Sequence, residues 1–145
     1  MRAVVQRVRS ASVTVAGDEV GSIGTGLCVL VGVTHGDDLG VARKLAERIW
    51  HLRVMDDAAG VMNISVADTT REVLVVSQFT LYGDTSGGRR PSWIAAARPE
   101  HAEPLVQAVV DRLRELGATV ATGRFRTEMQ VALVNDGPVT VLLDT

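Results

Sequence analysis

The sequence predicts an α+β fold: mostly antiparallel, barrel-like strands with two main helices packed on them. Three observations lead to this prediction. Short apolar runs separated by glycine and aspartate turns fill the first third, two later segments repeat apolar residues with a helical period, and the chain ends in runs of valine and leucine. With 145 residues, 46% of them hydrophobic, residues 1–145 are expected to form a single domain around one core.

Strands are predicted where β-branched and other apolar residues lie between turn signals. The predicted strands span residues 3–8, 11–15, 19–23, 27–33, 53–55, 62–66, 71–81, 118–122 and 129–143, the last with a break at 135–138. Residues 71–81 form the longest unbroken candidate. Because residues 73–76 are apolar on both faces, this strand is expected to be central.

Two helices are predicted from apolar residues that recur on one face. The first covers residues 39–52 and has Asp38 as a plausible N-cap. The second begins near Pro99 and Glu100, which suit a first helical turn, and is expected to stop at Gly117.

Charge limits the possible partners of the chain. The net charge is −2 and Lys44 is the sole lysine, so the basic surface that grips DNA or long RNA is not expected. One basic pair, Arg89 and Arg90, lies in the loop at 83–91 and is either solvated or in contact with a phosphate. Aromatic residues make up only 3% of the chain, which argues against a base-stacking platform.

The apolar runs and the cysteine count of the sequence indicate the compartment and the redox state of the chain. No apolar run approaches the roughly 20 residues that span a bilayer, and no secretion signal is apparent, so a soluble protein without membrane contact is expected. Cys28 is the only cysteine and lies in an apolar run, which excludes a disulfide framework and predicts a buried thiol. Both features favour the cytoplasm.

The best candidate site from the residues alone is the end of the predicted strand 71–81, where hydrogen-bonding side chains follow an apolar body. Ser77 and Thr80 are possible nucleophiles, and His35, His51 and His101 are possible bases. No G-x-S-x-G elbow surrounds either hydroxyl, and no cluster has the spacing of metal ligands, so neither a metal nor a cofactor is expected. The pocket would act through backbone N–H groups and neutral side chains.

The second candidate is the break at 135–138, Asn-Asp-Gly-Pro, between two apolar runs. Turn residues in this order predict a sharp reversal or a kink between strands. Gly137 before Pro138 joins the most permissive backbone residue to one that lacks an N–H. A plain surface turn and a functional element both remain open at this point.

These two motifs resemble those of the D-aminoacyl-tRNA deacylase family. The resemblance is carried by Ser-Gln-Phe-Thr-Leu-Tyr-Gly-Asp at 77–84 and by Asn-Asp-Gly-Pro-Val-Thr at 135–140, with similar segments at 1–8, 30–34 and 90–92. Both motifs occur in the same order and at the same separation as in the family. Ser77 and Phe79 match the main deacylase type rather than the animal relatives that have Pro and Ala there.

The resemblance implies a homodimer that hydrolyses the ester between a D-amino acid and the terminal adenosine of tRNA, and that also removes glycine from mischarged tRNA. It implies catalytic roles for Ser77, Gln78, Phe79 and Thr80. In the family the Gly-Pro bond is cis and reaches into the partner's pocket, so Gly137 and Pro138 are expected to exclude L side chains. Weaker substrate contacts are expected from Met129, Asn135, Val139, Thr140, Arg89 and Arg90.

One segment departs from the family pattern. Where the family usually has Phe-Gly-Ala, a variable residue and Met, this chain has Phe125, Arg126, Thr127, Glu128 and Met129. Larger polar groups therefore stand where small ones are expected, near the substrate end.

Two other functions remain open from the sequence. One is a different acyl hydrolase that uses Ser77 or Thr80 covalently, and the other is a non-catalytic module that binds an RNA end.

Overall fold

The computed structural model describes residues Met1–Thr145 and contains eight strands and two α-helices. The strands are β1 (Arg2–Val15), β2 (Asp18–Ile23), β3 (Gly26–Gly32), β4 (Met55–Asp56), β5 (Met62–Ile64), β6 (Glu72–Ser77), β7 (Val120–Thr122) and β8 (Gln130–Asp144). The helices are α1 (Leu39–Trp50) and α2 (Pro99–Glu115). No helix has both the length and the apolarity needed to cross a membrane.

Six strands form one sheet in the order β2-β1-β3-β6-β7, with β8 as a further partner of β1. Along one edge, β1 pairs with β3 through residues 2–8 and with β2 through residues 11–15, and β8 pairs along its other edge. Strand β1 is antiparallel to β2, β3 and β8, whereas β6 runs parallel to both β3 and β7. The sheet curls until β2 meets β7, where a Cβ on Gly21 would lie 2.4 Å from the carbonyl oxygen of Thr122. Close approach of two backbones at this point requires glycine. The predicted α+β, barrel-like fold is confirmed.

Strands β3 and β6 separate two cores because their alternate side chains face opposite ways. Leu27, Val29 and Val31 of β3 pack towards α1 and α2, while Cys28 packs inside the curled sheet. The side chains of β6 are shared between the two cores in the same way, which confirms that this strand is central. Cys28 is buried, as predicted, and burial raises the pKa of its thiol to about 11, so the thiolate is scarce at neutral pH.

Both predicted helices are present. Asp38 caps α1 by accepting a hydrogen bond from the N–H of Val41, as predicted. The last turn of α1 ends at Trp50, and α2 begins at Pro99 and ends two residues before Gly117.

Several strand predictions differ from the structure, and the predicted strands 53–55, 62–66 and 118–122 are observed only as Met55–Asp56, Met62–Ile64 and Val120–Thr122. The predicted strands 3–8 and 11–15 are one strand, β1, which a bulge at Arg9 interrupts without ending it. The predicted strand 71–81 stops at Ser77, because Phe79–Tyr82 form a 3₁₀ turn. Of the two alternatives predicted for the break at 135–138, the kink is observed and the reversal is not, and the kink lies within the continuous strand β8.

Candidate active site

A cavity of about 630 Å³ opens at the carboxyl ends of β3 and β6. The start of α2 closes one side of it, and the segment 125–131 closes another. Of the predicted catalytic residues, Ser77, Gln78 and Phe79 line this cavity, and Met129 lines it as well. Thr80, the fourth predicted catalytic residue, is exposed and is not among the residues that line the cavity.

The backbone changes direction at the end of β6, and this change exposes two donors. The N–H of Gln78 still continues the ladder by donating to the carbonyl of Val31, at 2.7 Å. The following 3₁₀ turn then leaves its first N–H groups, those of Phe79 and Thr80, without an acceptor among the turn and loop hydrogen bonds. The side-chain amide of Gln78 donates to the hydroxyl of Thr80.

The charge of the pocket is entirely positive. Arg98 and Arg126 line it, and no His, Asp, Glu or Lys does. The amino-terminal end of α2 also borders the cavity, which adds the positive end of a helix dipole. The site therefore suits an anionic or electron-rich ligand and supplies no general base.

None of the three histidines lines the cavity or is hydrogen-bonded to Ser77 or Thr80. A ring nitrogen of His35 is hydrogen-bonded to the carbonyl of Ile94 at 2.8 Å, and one of His101 to the carbonyl of Asp37 at 2.9 Å. His51 caps the carboxyl end of α1 and is exposed. No group of three metal-binding side chains occurs in the structure.

The second motif lies outside this pocket. Gly137 and Pro138 are exposed on β8, and the peptide bond between them is cis. Neighbouring Asn135, Val139 and Thr140 do not line the cavity either. Arg89 and Arg90, also weaker candidates, lie in an exposed loop and not in the pocket wall.

The Gly-Pro segment projects from β8 as a bulge. Gln6 is paired with Thr140 and Val8 with Asn135, so the four residues 136–139 stand opposite Arg7 alone. The amide of Asn135 holds the base of this bulge, donating to the carbonyls of Arg7 at 2.9 Å and Val139 at 3.0 Å. One side chain therefore fixes both ends of the projecting segment.

Arg7 supports the bulge from beneath. Its side chain is buried, donates through Nη1 to the carbonyl of Val54 at 2.8 Å, and donates through Nε to the carbonyl of Asp136 at 3.2 Å. A Cβ on Gly137, where φ is +117°, would lie 2.8 Å from Arg7 Nη2. Only glycine combines this backbone angle with the available space.

Several pocket residues were missed from the sequence. Trp93, Arg98 and Phe125 line the cavity, and each belongs to a segment without strand or helix periodicity. Arg98 directly precedes α2, so a signal was available from the predicted helix start. Nothing in the local pattern of Trp93 or Phe125 marks them as pocket residues.

The segment that departs from the family pattern is part of the pocket wall, since Arg126 and Thr127 both line the cavity. Arg126 has a φ of +58°, the left-handed conformation in which glycine is most at ease. Arg126 therefore adopts a backbone conformation that glycine favours, and its side chain adds a guanidinium to the pocket wall.

Comparison with known proteins identifies the family of this chain. The model of the family described as D-Tyr-tRNA(Tyr) deacylase matches residues 4–144. A D-aminoacyl-tRNA deacylase of Nocardia farcinica is 59% identical over 148 residues, covering 100% of both chains. One of Heliobacterium modesticaldum is 57% identical over 144 residues, covering 99% of this chain and 96% of the relative.

Solved structures agree in fold over the whole chain. A structure titled c-Myc DNA Unwinding Element Binding Protein has a TM-score of 0.95 and 39% identity, covering 100% of this chain and 99% of that one. A probable eukaryotic D-amino acid tRNA deacylase has a TM-score of 0.85 at 15% identity, covering 99% and 98%, and bears on the fold alone. The family match and the relatives above half identity show that this chain belongs to the D-Tyr-tRNA(Tyr) deacylase family.

Proposed function

We propose that this chain is an enzyme that hydrolyses the ester bond of D-aminoacyl-tRNA, releasing the free D-amino acid and tRNA while rejecting L-aminoacyl-tRNA. Mischarged glycyl-tRNA is a second substrate, because glycine has no side chain to exclude. The observation that carries this proposal is that Ser77, Gln78 and Phe79 line a pocket beside backbone N–H groups without an acceptor, in a chain of this family. Charged tRNA is used in the cytoplasm, and the lone buried thiol suits that reducing compartment.

Catalysis rests on backbone donors and not on a covalent nucleophile. Water attacks the ester carbonyl, and the N–H groups of Phe79 and Thr80 stabilise the oxyanion that develops. One such donor is typically worth about 10²–10³ in rate, which is sufficient for an activated ester. The ribose 2′-OH positions the attacking water, and the ribose oxygen leaves as a hydroxyl by taking up the proton that the water gives up as the ester bond breaks. The absence of a base beside Ser77 and Thr80 supports this route over an acyl-enzyme.

Selectivity comes from a second copy of the chain. Gly137 and Pro138 lie outside their own subunit's pocket and project from a strand whose outer edge is unpaired. Val134 and Leu142 expose apolar side chains on the same strand. In a homodimer this surface is covered, and each Gly137-Pro138 segment forms a backbone wall against the α-carbon of the substrate in the partner's pocket. An L side chain collides with such a wall, whereas a D side chain points away.

The remaining predicted residues have supporting roles. Met129 lies on the adenosine side of the pocket, while Asn135, Val139 and Thr140 shape the wall. Arg89 and Arg90 contact the phosphates of the acceptor end from their exposed loop.

The decisive experiment is a deacylation assay of the pure protein on D-Tyr-tRNA, L-Tyr-tRNA and Gly-tRNA. We expect turnover of the D-aminoacyl and glycyl substrates and none of the L-aminoacyl substrate. Equal rates on D- and L-Tyr-tRNA would contradict the selectivity. No turnover at high enzyme concentration would favour a non-catalytic module that binds an RNA end.

Thr80→Ala is expected to lower kcat by about 2- to 10-fold without abolishing it, because it removes one hydrogen-bonding side chain and leaves the N–H donor in place. Thr80→Ser, which keeps the hydroxyl, is the matched control and should retain most activity. Single-turnover kinetics on D-Tyr-tRNA measure both. Capture of an acyl group on Thr80, or labelling of Ser77 by a serine-directed reagent, would establish the covalent alternative.

The shared site predicts complementation between two defective subunits. Ala96→Trp fills the pocket and Gly137→Ala disturbs the wall, so each variant alone should have little activity. After denaturation and refolding of an equal mixture, about half of the dimers pair one chain of each kind, and one of their two sites has both intact parts. Activity should recover to about a quarter of the wild-type value. No recovery, with light scattering showing a monomer, would contradict the proposal.

A further inference from the structure

The mouth of the pocket carries an apolar surface that the proposed chemistry does not use. Trp93 and Ile94 form this surface, which we call the apolar shelf, and their residues are 42% and 85% exposed. The rings of Phe79 and Trp93 meet edge to face, with 5.5 Å between centroids and an angle of 70°. Two of the five aromatic residues of the chain therefore meet at the entrance of the site.

The shelf is held rigidly. The hydroxyl of Thr34 donates to the carbonyl of Ala95 at 2.6 Å, and a ring nitrogen of His35 is hydrogen-bonded to the carbonyl of Ile94. The ring of Trp93 also rests on Gly83, where a Cβ would lie only 2.5 Å from it. Exposed apolar side chains on a fixed backbone bind at low entropic cost, because the surface is already ordered.

The electrostatic surroundings of the shelf favour an anionic chain. Arg98 and Arg126, which are both exposed, line the pocket, and no acidic residue lines it. Arg89 and Arg90 precede Trp93 by four and three positions, in the loop that Asp84 and Ser92 close by pairing with each other. Two arginines thus line the pocket and two more lie in the loop that leads to the apolar surface, and cations beside an apolar surface are the combination that binds single-stranded nucleic acid through phosphates and stacked bases.

Resting on the proposed function, we infer that the apolar shelf binds the base of the nucleotide that precedes the terminal adenosine of tRNA. The pocket takes the adenosine and its ester, so the preceding nucleotide must leave through the mouth that the shelf borders. A base stacked on Trp93 and covering Ile94 buries both exposed side chains. The low aromatic content of the chain argued against a base-stacking platform. The fold nevertheless brings the rings of Phe79 and Trp93 together beside the pocket, which is enough for one base.

The test compares two substrates for each variant: D-Tyr-tRNA and D-tyrosyl-adenosine, which lacks the preceding nucleotide. The measured quantity is the ratio of their kcat/KM values. Ile94→Ser and Trp93→Ala should each reduce this ratio by about 5- to 100-fold, the range for loss of one stacked base. Trp93→Phe keeps a ring and should reduce it less. Ile94 is so exposed that its replacement leaves folding intact.

Three outcomes would overturn the inference. An unchanged ratio means that the shelf contacts no preceding nucleotide. Equal losses on both substrates mean that Trp93 acts on catalysis through Phe79. Dissociation of the dimer by Ile94→Ser, seen by light scattering, means that the shelf is a contact between subunits. If the wild-type protein hydrolyses neither substrate, the proposed function itself fails, and the inference falls with it.

Discussion

Gly137→Ala is expected to reduce D-aminoacyl-tRNA deacylation about 100-fold and to weaken discrimination against L-aminoacyl-tRNA. At a φ of +117° an alanine is strained by about 1–3 kcal/mol, and its Cβ would stand 2.8 Å from both Arg7 Nη2 and Val139 Cγ2. The segment must therefore move, and a displacement of about 1 Å at a substrate wall can cost about 10² in rate. Steady-state kinetics on D- and L-Tyr-tRNA measure both effects.

Gly60→Ala is the matched control for this variant. Gly60 also has a positive φ, +75°, but no atom lies within 4 Å of a Cβ built there. The control therefore introduces backbone strain without a collision and should lower stability while leaving kinetics unchanged. Unaltered D-over-L selectivity in Gly137→Ala would refute the role of this segment as a filter.

Arg7→Met is expected to lower the free energy of unfolding by about 2–4 kcal/mol, because it leaves buried acceptors without their donor. The carbonyl of Val54 and the carbonyl of Asp136 lose a hydrogen bond, and the carboxylates of Asp56 and Asp136 lose a cation. The methionine keeps the apolar length of the side chain, so packing changes little. Urea unfolding monitored by circular dichroism gives the difference, and selectivity should fall as the bulge loses its support.

Arg9→Met provides an internal comparison, since Arg9 contacts the same carboxylate, Asp136, at 3.0 Å. The side chain of Arg9 is 74% exposed, whereas that of Arg7 is 9% exposed. An exposed pair contributes less than about 1 kcal/mol, so this variant should be close to wild type. Equal destabilisation by the two substitutions would show that burial of Arg7 does not determine its contribution.

Much of the fold could be predicted from local patterns because those patterns were regular. The apolar period of α1, its cap at Asp38 and the doubly apolar run of β6 each determined an element correctly. The failures occurred where one strand changes its environment along its length. Strand β1 looked like two strands because the exposed residues Arg9 and Ser10 interrupt its apolar pattern, yet its pairing with β8 continues past the bulge.

Only the site residues that belong to short sequence motifs could be predicted. Ser77, Gln78, Phe79 and Met129 line the predicted pocket. Trp93 could not be found in this way, since its place depends on contacts with Phe79 and with Gly83 that are set by loop conformation. The hydrogen bond by which Asn135 holds the bulge could not be predicted either, because a bond to a carbonyl on another strand produces no pattern in the sequence.

The bulge of β8 also limits the insertions and deletions that this strand can accept. Before it, Leu133 packs inside the curled sheet, and after it Val141 and Leu143 pack against the helices. Side chains alternate along a strand, so a gain or loss of one residue that shifted the register of either half against β1 would turn every inward side chain of that half outward. The two halves of β8 must therefore keep their registers against β1, and any change in residue count must be absorbed by the unpaired residues 136–139.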